Sequence, residues 1–175
     1  MKLAFASMAL LLALAPAEAA LSVGAAAPDF SAEAALGGNS FVFSLDEALK
    51  KGPVVLYFYP AAFTKGCTLE AHDFAEATPE FAALGASVIG VSHDDIATLK
   101  KFSVSECRSK FAVAADPDGK VIAAYDAKMP LLAYAERVSY VITPDHKVVL
   151  VYSSLDPDQH VAKTLAAVKA WKDKH

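Results

Sequence analysis

A continuous apolar run, Val54–Tyr59, constrains the fold of this chain more than any other feature. Its residues are all β-branched, aromatic or leucine, and Pro60 ends it. A strand with one solvated face alternates apolar and polar residues, so an unbroken run is typical of a strand that is buried on both faces. Such a strand needs cover above and below the sheet, and the run therefore predicts an α/β domain.

The segments that follow support this prediction. Two more buried strands are expected at Ser87–Ser92 and Phe111–Ala115, and single helices between the strands make them parallel neighbours. Val138–Ile142 and Lys147–Tyr152 flank a Pro-Asp turn and predict an antiparallel hairpin. Together these elements predict a central mixed β-sheet flanked by helices. The helices are expected over Leu45–Lys50 after a Ser44 cap, from near Cys67, from Asp94 or Asp95 to about Glu106, and over Asp158–Lys172.

Other expectations concern the start of the domain and the helix that begins near Cys67. The Ala/Gly/Pro-rich segment Ala20–Ser40 is expected to be irregular, with a short edge strand at Phe41–Phe43. Thr78-Pro79 is expected to break or restart the long helix, because proline cannot donate a backbone hydrogen bond. The apolar spacing in this helix predicts that Glu70 faces water.

Residues 1–19 have the pattern of a secretory signal peptide. Lys2 precedes an apolar run, and Ala17-Glu18-Ala19 offers small residues at a cleavage site. We therefore expect residues 20–175 to form one exported domain, periplasmic in a Gram-negative bacterium and otherwise secreted or luminal. An uncleaved anchor or an ordinary N-terminal helix is the alternative. No cysteine lies at the cleavage point, which argues against a lipid anchor and leaves no membrane association after cleavage.

Charge and cysteine content narrow the function. Lys2 and Glu18 cancel, so the net charge of the 175-residue chain, −4, is also that of the exported domain. A mildly acidic domain without a basic cluster argues against nucleic acid as a partner. The two cysteines, Cys67 and Cys107, would be exported to a compartment where disulfides persist. Composition alone leaves open a structural disulfide or a redox-active pair.

The residues before Cys67 indicate a reactive thiol. A buried strand ends at Pro60, a short loop follows, and a helix begins at or beside Cys67. Unpaired backbone N–H groups and the positive end of the helix dipole favour the thiolate at such a place. The Thr64 hydroxyl and the N–H of Gly66 or Cys67 can donate hydrogen bonds to a bound peroxide and stabilise charge on its leaving oxygen.

The spacing Pro60-x-x-x-Thr64-x-x-Cys67 resembles the active-site signature of the peroxiredoxin family, also described as AhpC/TSA-like. The resemblance implies a thioredoxin-like fold and a thiol peroxidase that acts on hydrogen peroxide and organic hydroperoxides. It further implies that Cys67 is the peroxidatic cysteine, that Thr64 binds peroxide and that Pro60 shields the pocket. Arg137 fits the position of a family arginine that holds both thiolate and peroxide. The similarity extends to Leu21–Phe30, Val88–Ser92 and Asp116–Lys120.

Within the family the chain is most similar to the bacterioferritin-comigratory or Q-type group. Some members have a resolving cysteine five residues after the peroxidatic one, where this chain has His72; others have it in the next helix, which Cys107 resembles. The resemblance then implies an intramolecular Cys67–Cys107 disulfide, reduced by a thioredoxin-type protein, in a monomer or weak homodimer. It implies no metal, haem or flavin. A glutamate at Glu70 is implied to help hold the helix start.

Alternatives to this interpretation remain at the level of sequence. Three alternatives remain for Cys107: a buried helical cysteine, a cysteine that forms a disulfide between two chains, or a cysteine in a permanent structural disulfide with Cys67. A thioredoxin-like thiol-disulfide oxidoreductase is disfavoured because residue 64 is Thr where a C-x-x-C motif needs cysteine. A non-catalytic secreted module with a structural disulfide would give no reason for the set of Pro60, Thr64 and Arg137.

Overall fold

The structure is a computed structural model that describes residues 21–175, so the predicted signal peptide lies outside the described residues. The strands are β1 (Ser31–Leu36), β2 (Asn39–Ser44), β3 (Val54–Phe58), β4 (Ser87–Ser92), β5 (Ala112–Ala115), β6 (Val138–Ile142) and β7 (Val148–Ser153). The helices are α1 (Leu45–Leu49), α2 (Lys65–Ala83), α3 (Ile96–Ser105), α4 (Lys120–Ala124) and α5 (His160–Lys172).

The strands form one seven-stranded sheet in the order β2-β1-β5-β4-β3-β6-β7. The inner strands β3, β4 and β5 are parallel, and the remaining pairs are antiparallel. This confirms the predicted mixed sheet. β3 lies inside the sheet, since all its residues are buried and it pairs with β4 on one side and β6 on the other.

The side chains on the two faces of β3 belong to two separate apolar clusters. Val54, Leu56 and Phe58 pack on the side of α1 and α4, while Val55 and Tyr57 pack on the side of α2, α3 and α5. Successive side chains of a strand point to opposite faces, so an all-apolar strand supplies both clusters at once. The reading of Val54–Tyr59 as a doubly buried strand is therefore confirmed.

The N-terminal segment differs from the expectation of an irregular Ala20–Ser40. Ser31–Leu36 and Asn39–Ser44 form a β-hairpin in which Leu36 pairs with Asn39 across Gly37-Gly38. Both glycines have positive φ, 57° and 83°, as two-residue hairpin turns require. The alanine-rich first strand has low β-propensity, and its pairing with β5 holds it in the sheet.

Helix α2 also differs from the expectation, because it runs through Pro79 without a break. Pro79 is exposed, so its ring points to solvent and distorts no packing. The Thr78 hydroxyl donates to the Phe74 carbonyl (2.8 Å) and does not start a new helix. Within residues 21–175 no helix is long and apolar enough to cross a bilayer.

One edge of the sheet carries the residues that the sequence singled out. Phe58 pairs with Val138, so the carboxyl end of β3 lies beside the amino end of β6. The loop that begins at Pro60 and the side chain of Arg137 consequently lie at the same end of the strands, although 77 positions separate Pro60 from Arg137 in the chain.

Candidate active site

Cys67 lies in the first turn of α2, which is capped by Thr64 with extended backbone. The first helical bond runs from the Thr68 N–H to the Thr64 carbonyl (2.9 Å), so the preceding N–H groups have no partner within the helix. The loop before the helix is fixed by the Ala62 N–H, which donates to Asp94 (2.8 Å). The Cys67 side chain is free of disulfide and only 1% exposed. The predicted position at a helix start is confirmed.

Arg137 is the charged group that meets the sulfur. Its Nη2 donates to Cys67 Sγ at 3.4 Å, and its Nε donates to the Leu155 carbonyl at 3.0 Å. The guanidinium is 5% exposed. Gly66 allows this approach, because a Cβ on residue 66 would lie 3.0 Å from Nη2. The fold therefore brings Arg137 to Cys67, as the family resemblance implied.

Glu70 lies one turn after Cys67 and is fully buried, which corrects the expectation that it faces water. The helical spacing placed it with the polar residues, but the guanidinium of Arg137 occupies that side and donates to Glu70 Oε2. Burial raises the pKa of Glu70 to about 8, and the nearby Arg137 charge only partly opposes this. Burial alone would lower the pKa of Arg137, but Glu70 and Cys67 outweigh it and raise it.

Sequence reasoning missed His160, which is fully buried at the start of α5. Its Nδ1 lies 2.8 Å from Ser139 Oγ and 3.6 Å from Glu70 Oε1, and its Nε2 lies 3.0 Å from the Ser154 carbonyl. Burial lowers the pKa of His160. Nothing in the sequence marks this residue, because a histidine next to a helix start more often faces solvent.

Thr64 and Pro60 belong to the loop that leads from β3 into α2. Thr64 is exposed and Pro60 is partly buried. The Thr64 hydroxyl donates to the Ala61 carbonyl at 2.9 Å.

Cys107 follows the end of α3 and is fully buried. It belongs to the same apolar cluster as Cys67, on the α2 side of the sheet, and both thiols are free. Burial raises the pKa of Cys107, so its thiol stays protonated in this state. Two ion pairs flank it and join it to α2: Glu106 with His72 (2.9 Å) and Arg108 with Glu76 (3.0 Å).

The described residues offer no grouping of three or more His, Cys, Asp or Glu side chains that could hold a metal ion. The chemistry available at this edge is that of a thiol, a guanidinium and backbone donors.

The family profile described as AhpC/TSA matches residues 23–151, most of the described chain. This chain belongs to the AhpC/TSA family. A putative peroxiredoxin of Mycobacterium tuberculosis is 40% identical to this AhpC/TSA protein over 130 residues, which cover 72% of the chain and 84% of that protein. A chloroplastic peroxiredoxin Q of Oryza sativa is 33% identical over 152 residues, covering 86% and 68%. A putative peroxiredoxin bcp of Helicobacter pylori is 40% identical over 120 residues, covering 69% and 72%.

Solved structures agree. The crystal structure of the peroxidoxin BcpB from Mycobacterium tuberculosis superposes with a TM-score of 0.77 at 36% identity, over 85% of this chain and 96% of that one. The thioredoxin-like fold is thereby confirmed. The enzyme class of this AhpC/TSA protein is that of the peroxiredoxins, which are thiol peroxidases, and its relatives belong to the bacterioferritin-comigratory and Q-type group.

Proposed function

We propose that Cys67 is the peroxidatic cysteine and reduces hydrogen peroxide and organic hydroperoxides. The observation that carries the proposal is the 3.4 Å contact between Arg137 Nη2 and Cys67 Sγ in a buried site. A buried guanidinium cannot lose its proton and favours a thiolate beside it. Glu70 is the other partner of the buried guanidinium, but its contact uses Nη1 and leaves Nη2 directed at the sulfur.

The peroxidation step follows from these positions. The Cys67 thiolate attacks the terminal oxygen of ROOH and becomes a sulfenic acid, while RO⁻ leaves and is protonated to ROH. Arg137 and the first-turn N–H groups of α2 stabilise charge on the two oxygens as the O–O bond breaks. Thr64 donates to the peroxide after its hydroxyl rotates away from Ala61, and Pro60 restricts access of water to the sulfur.

Exposed apolar side chains at the mouth support organic hydroperoxides as substrates. Phe63, next to Thr64, is 48% exposed, and Leu155, whose carbonyl binds Arg137, is 71% exposed. Phe63 adjoins the loop before Cys67 and Leu155 adjoins Arg137, so both suit an alkyl or aryl group on the distal side of the peroxide.

Cys107 is proposed as the resolving cysteine. Its thiol attacks the sulfenic sulfur of Cys67, water leaves, and an intramolecular disulfide forms. A thioredoxin-type dithiol protein then reduces this disulfide by exchange. Because Cys107 is buried and protonated here, the segment after α3 must open before it reacts. A reduced state with Cα atoms farther apart than about 7 Å would need the same opening.

We also propose that residues 1–19 are cleaved and that the domain is exported. The exported domain is proposed to be a monomer or a weak homodimer. The signal-like pattern of the N-terminal sequence supports export. N-terminal sequencing of the protein from its native host tests cleavage, and sedimentation tests the oligomeric state.

The function is tested by mass spectrometry after one equivalent of hydrogen peroxide is added to the reduced protein. We expect a Cys67–Cys107 bridge within one chain. Cys67→Ser should abolish peroxide consumption, whereas Cys107→Ser should keep the first oxidation and lose turnover with a dithiol protein. Peroxide consumption by Cys67→Ser at the wild-type rate would overturn the proposal.

A further inference from the structure

A series of buried side chains leads from Cys67 into the protein and ends at His160. The proposed mechanism assigns no role to this histidine. Arg137 contacts Cys67 and Glu70 Oε2, and Glu70 Oε1 in turn faces Nδ1 of His160 at 3.6 Å. Oε1 is buried and has no hydrogen-bond partner in residues 21–175. A buried carboxylate oxygen without a donor is costly, so the position of the proton at this place matters.

The partners of His160 decide which ring nitrogen carries its hydrogen. The Ser154 carbonyl can only accept, so Nε2, 3.0 Å away, must donate to it. Burial lowers the pKa of His160, which makes the ring neutral, and Nδ1 then has a lone pair. The Ser139 hydroxyl at 2.8 Å donates to that nitrogen. His160 therefore presents an acceptor, not a donor, to Glu70.

If Glu70 were ionised, its Oε1, an acceptor, would face Nδ1 of His160, which is also an acceptor. Carboxylate oxygen and imidazole lone pair would repel each other at this buried place, where charges are poorly screened. A proton on Oε1 removes the conflict, since Oε1–H would share the single Nδ1 lone pair with the Ser139 hydroxyl while Oε2 still accepts from Arg137. The distance of 3.6 Å is longer than a hydrogen bond and needs to shorten by about half an ångström to become one.

We propose that His160 is a positioning residue that keeps Glu70 protonated, so that the charge of Arg137 acts on the Cys67 thiolate and on bound peroxide. An ionised Glu70 would neutralise much of the guanidinium charge, whereas a neutral Glu70 fixes its orientation without doing so. The consequence for catalysis rests on the proposed peroxidase function. The protonation of Glu70 follows from the geometry and is measurable without peroxide.

Other titratable and charged groups face this proton from the surrounding elements. Within residues 21–175, Arg137 is the cation that contacts Glu70. Burial, which raises the pKa of Glu70 to about 8, acts in the same direction as the proposal. The neighbouring groups are Cys67 and Asp73 of α2, Tyr57 of β3, Arg137 before β6, Tyr152 of β7 and Asp156 before α5.

Two substitutions separate the nitrogens of His160. His160→Gln places an amide near Nε2, where it still donates to Ser154, and leaves nothing at Nδ1. His160→Asn places an amide oxygen near Nδ1 and gives up the bond to Ser154. His146→Gln is the matched control, because His146 lies in the β6–β7 turn at the opposite edge of the sheet.

The experiment is infrared titration of the reduced, full protein from pH 5 to 10, following the C=O stretch of protonated carboxyl groups. Glu70→Gln identifies the band of Glu70. We expect the wild type and His146→Gln to keep this band at pH 7 and to lose it near pH 8. In His160→Gln the loss should move at least one pH unit lower, a tenfold smaller protonated fraction at a given pH on the alkaline side, and His160→Asn should lie close to wild type.

Absence of the Glu70 band at pH 7 in the wild type would overturn the inference even if neither His160 variant folded. So would a His160→Gln titration that coincides with wild type. Stopped-flow oxidation of Cys67 supplies the second readout: His160→Gln should be several-fold slower than wild type at pH 8 and near normal at pH 6. A protein that shows the band but consumes no peroxide would refute the proposed function and leave the protonation standing.

Discussion

At the scale of the residue, Arg137 does three things at one position. It contacts the Cys67 sulfur, the Glu70 carboxyl group and the Leu155 carbonyl, and each contact uses a different nitrogen. The planar fork of arginine can meet three partners in fixed directions, while the compact ammonium of lysine cannot. The geometry of the site therefore depends on the guanidinium shape as well as on its charge.

Arg137→Lys should lower the second-order rate of Cys67 oxidation by about 10²–10³-fold, the usual loss when one preorganised donor to a developing oxyanion is removed. Stopped-flow fluorescence with hydrogen peroxide measures it. The chain has one other arginine, and Arg108→Lys, at an exposed pair with Glu76, is the control that should keep the rate. A rate for Arg137→Lys within a few-fold of wild type would contradict the role of the fork.

At the scale of the element, α2 tolerates a proline in its last quarter at a cost. Pro79 removes one helical donor and crowds the carbonyl four positions earlier, yet the helix continues because its buried face packs on the sheet. Tertiary packing outweighs the local preference of the residue.

Pro79→Ala should accordingly stabilise the protein, by about 1–3 kcal/mol, because it restores a helical hydrogen bond and relieves crowding. Urea unfolding of the reduced protein measures the change. Pro117→Ala, in the exposed turn after β5, is the control and should give no stabilisation. An unchanged or lower midpoint for Pro79→Ala would show that the helix carries no strain at this place.

The end of α3 is the element that must open if Cys107 is to react. Its two ion pairs to α2 are partly or largely exposed, and pairs of this kind contribute about 0.2–1 kcal/mol each. Arg108 and Ser109 follow in the left-handed region, with φ of 50° and 54°, an unfavourable conformation for non-glycine residues. This segment is thus held by weak contacts against local strain.

The double variant Glu76→Gln, Glu106→Gln should therefore raise hydrogen exchange over residues 100–110 several-fold and speed formation of the Cys67–Cys107 bridge by a similar factor. Exchange mass spectrometry and quenched thiol trapping measure the two quantities. Glu80→Gln breaks the α2–α5 pair with Lys169 and is the control. Faster exchange without faster bridging would mean that opening does not limit resolution.

At the scale of the whole molecule, the buried acid of the site makes global stability depend on pH. The pKa of Glu70 is raised in the folded state, from 4.5 to about 8, so the folded protein binds more protons than the unfolded chain between these values. Its contribution to the free energy of unfolding is therefore fully present below about pH 4.5 and declines as the pH rises towards 8.

Urea unfolding at intervals from pH 5 to 8 should show a smaller decline in Glu70→Gln than in wild type. Above about pH 8.5 both proteins should lose further stability, because burial also raises the pKa of Cys107, a thiol that ionises freely in the unfolded chain. Parallel curves for the two proteins below pH 8 would show that Glu70 does not titrate between its unfolded value and 8.

Much of the fold was determined by local patterns. The apolar run of β3 required cover on both faces. Apolar runs and the Pro-Asp turn placed β4, β6 and β7, and the 3.6-residue period placed α3 and α5, close to their observed bounds. The spacing of Pro60, Thr64 and Cys67 determined the location of the thiol at a helix start. These features depend on neighbours in sequence, which is why the sequence alone revealed them.

Tertiary structure decided the rest. β1 is a strand because β2 and β5 pair with it, and α2 passes Pro79 because its buried face holds it. Helical spacing predicted that Glu70 is solvated, and no sequence pattern marked His160. Glu70 is buried against Arg137 and His160, which come from distant parts of the chain. Burial and charge pairing are sums over groups far apart in sequence, and only the folded chain brings those groups within range of one another.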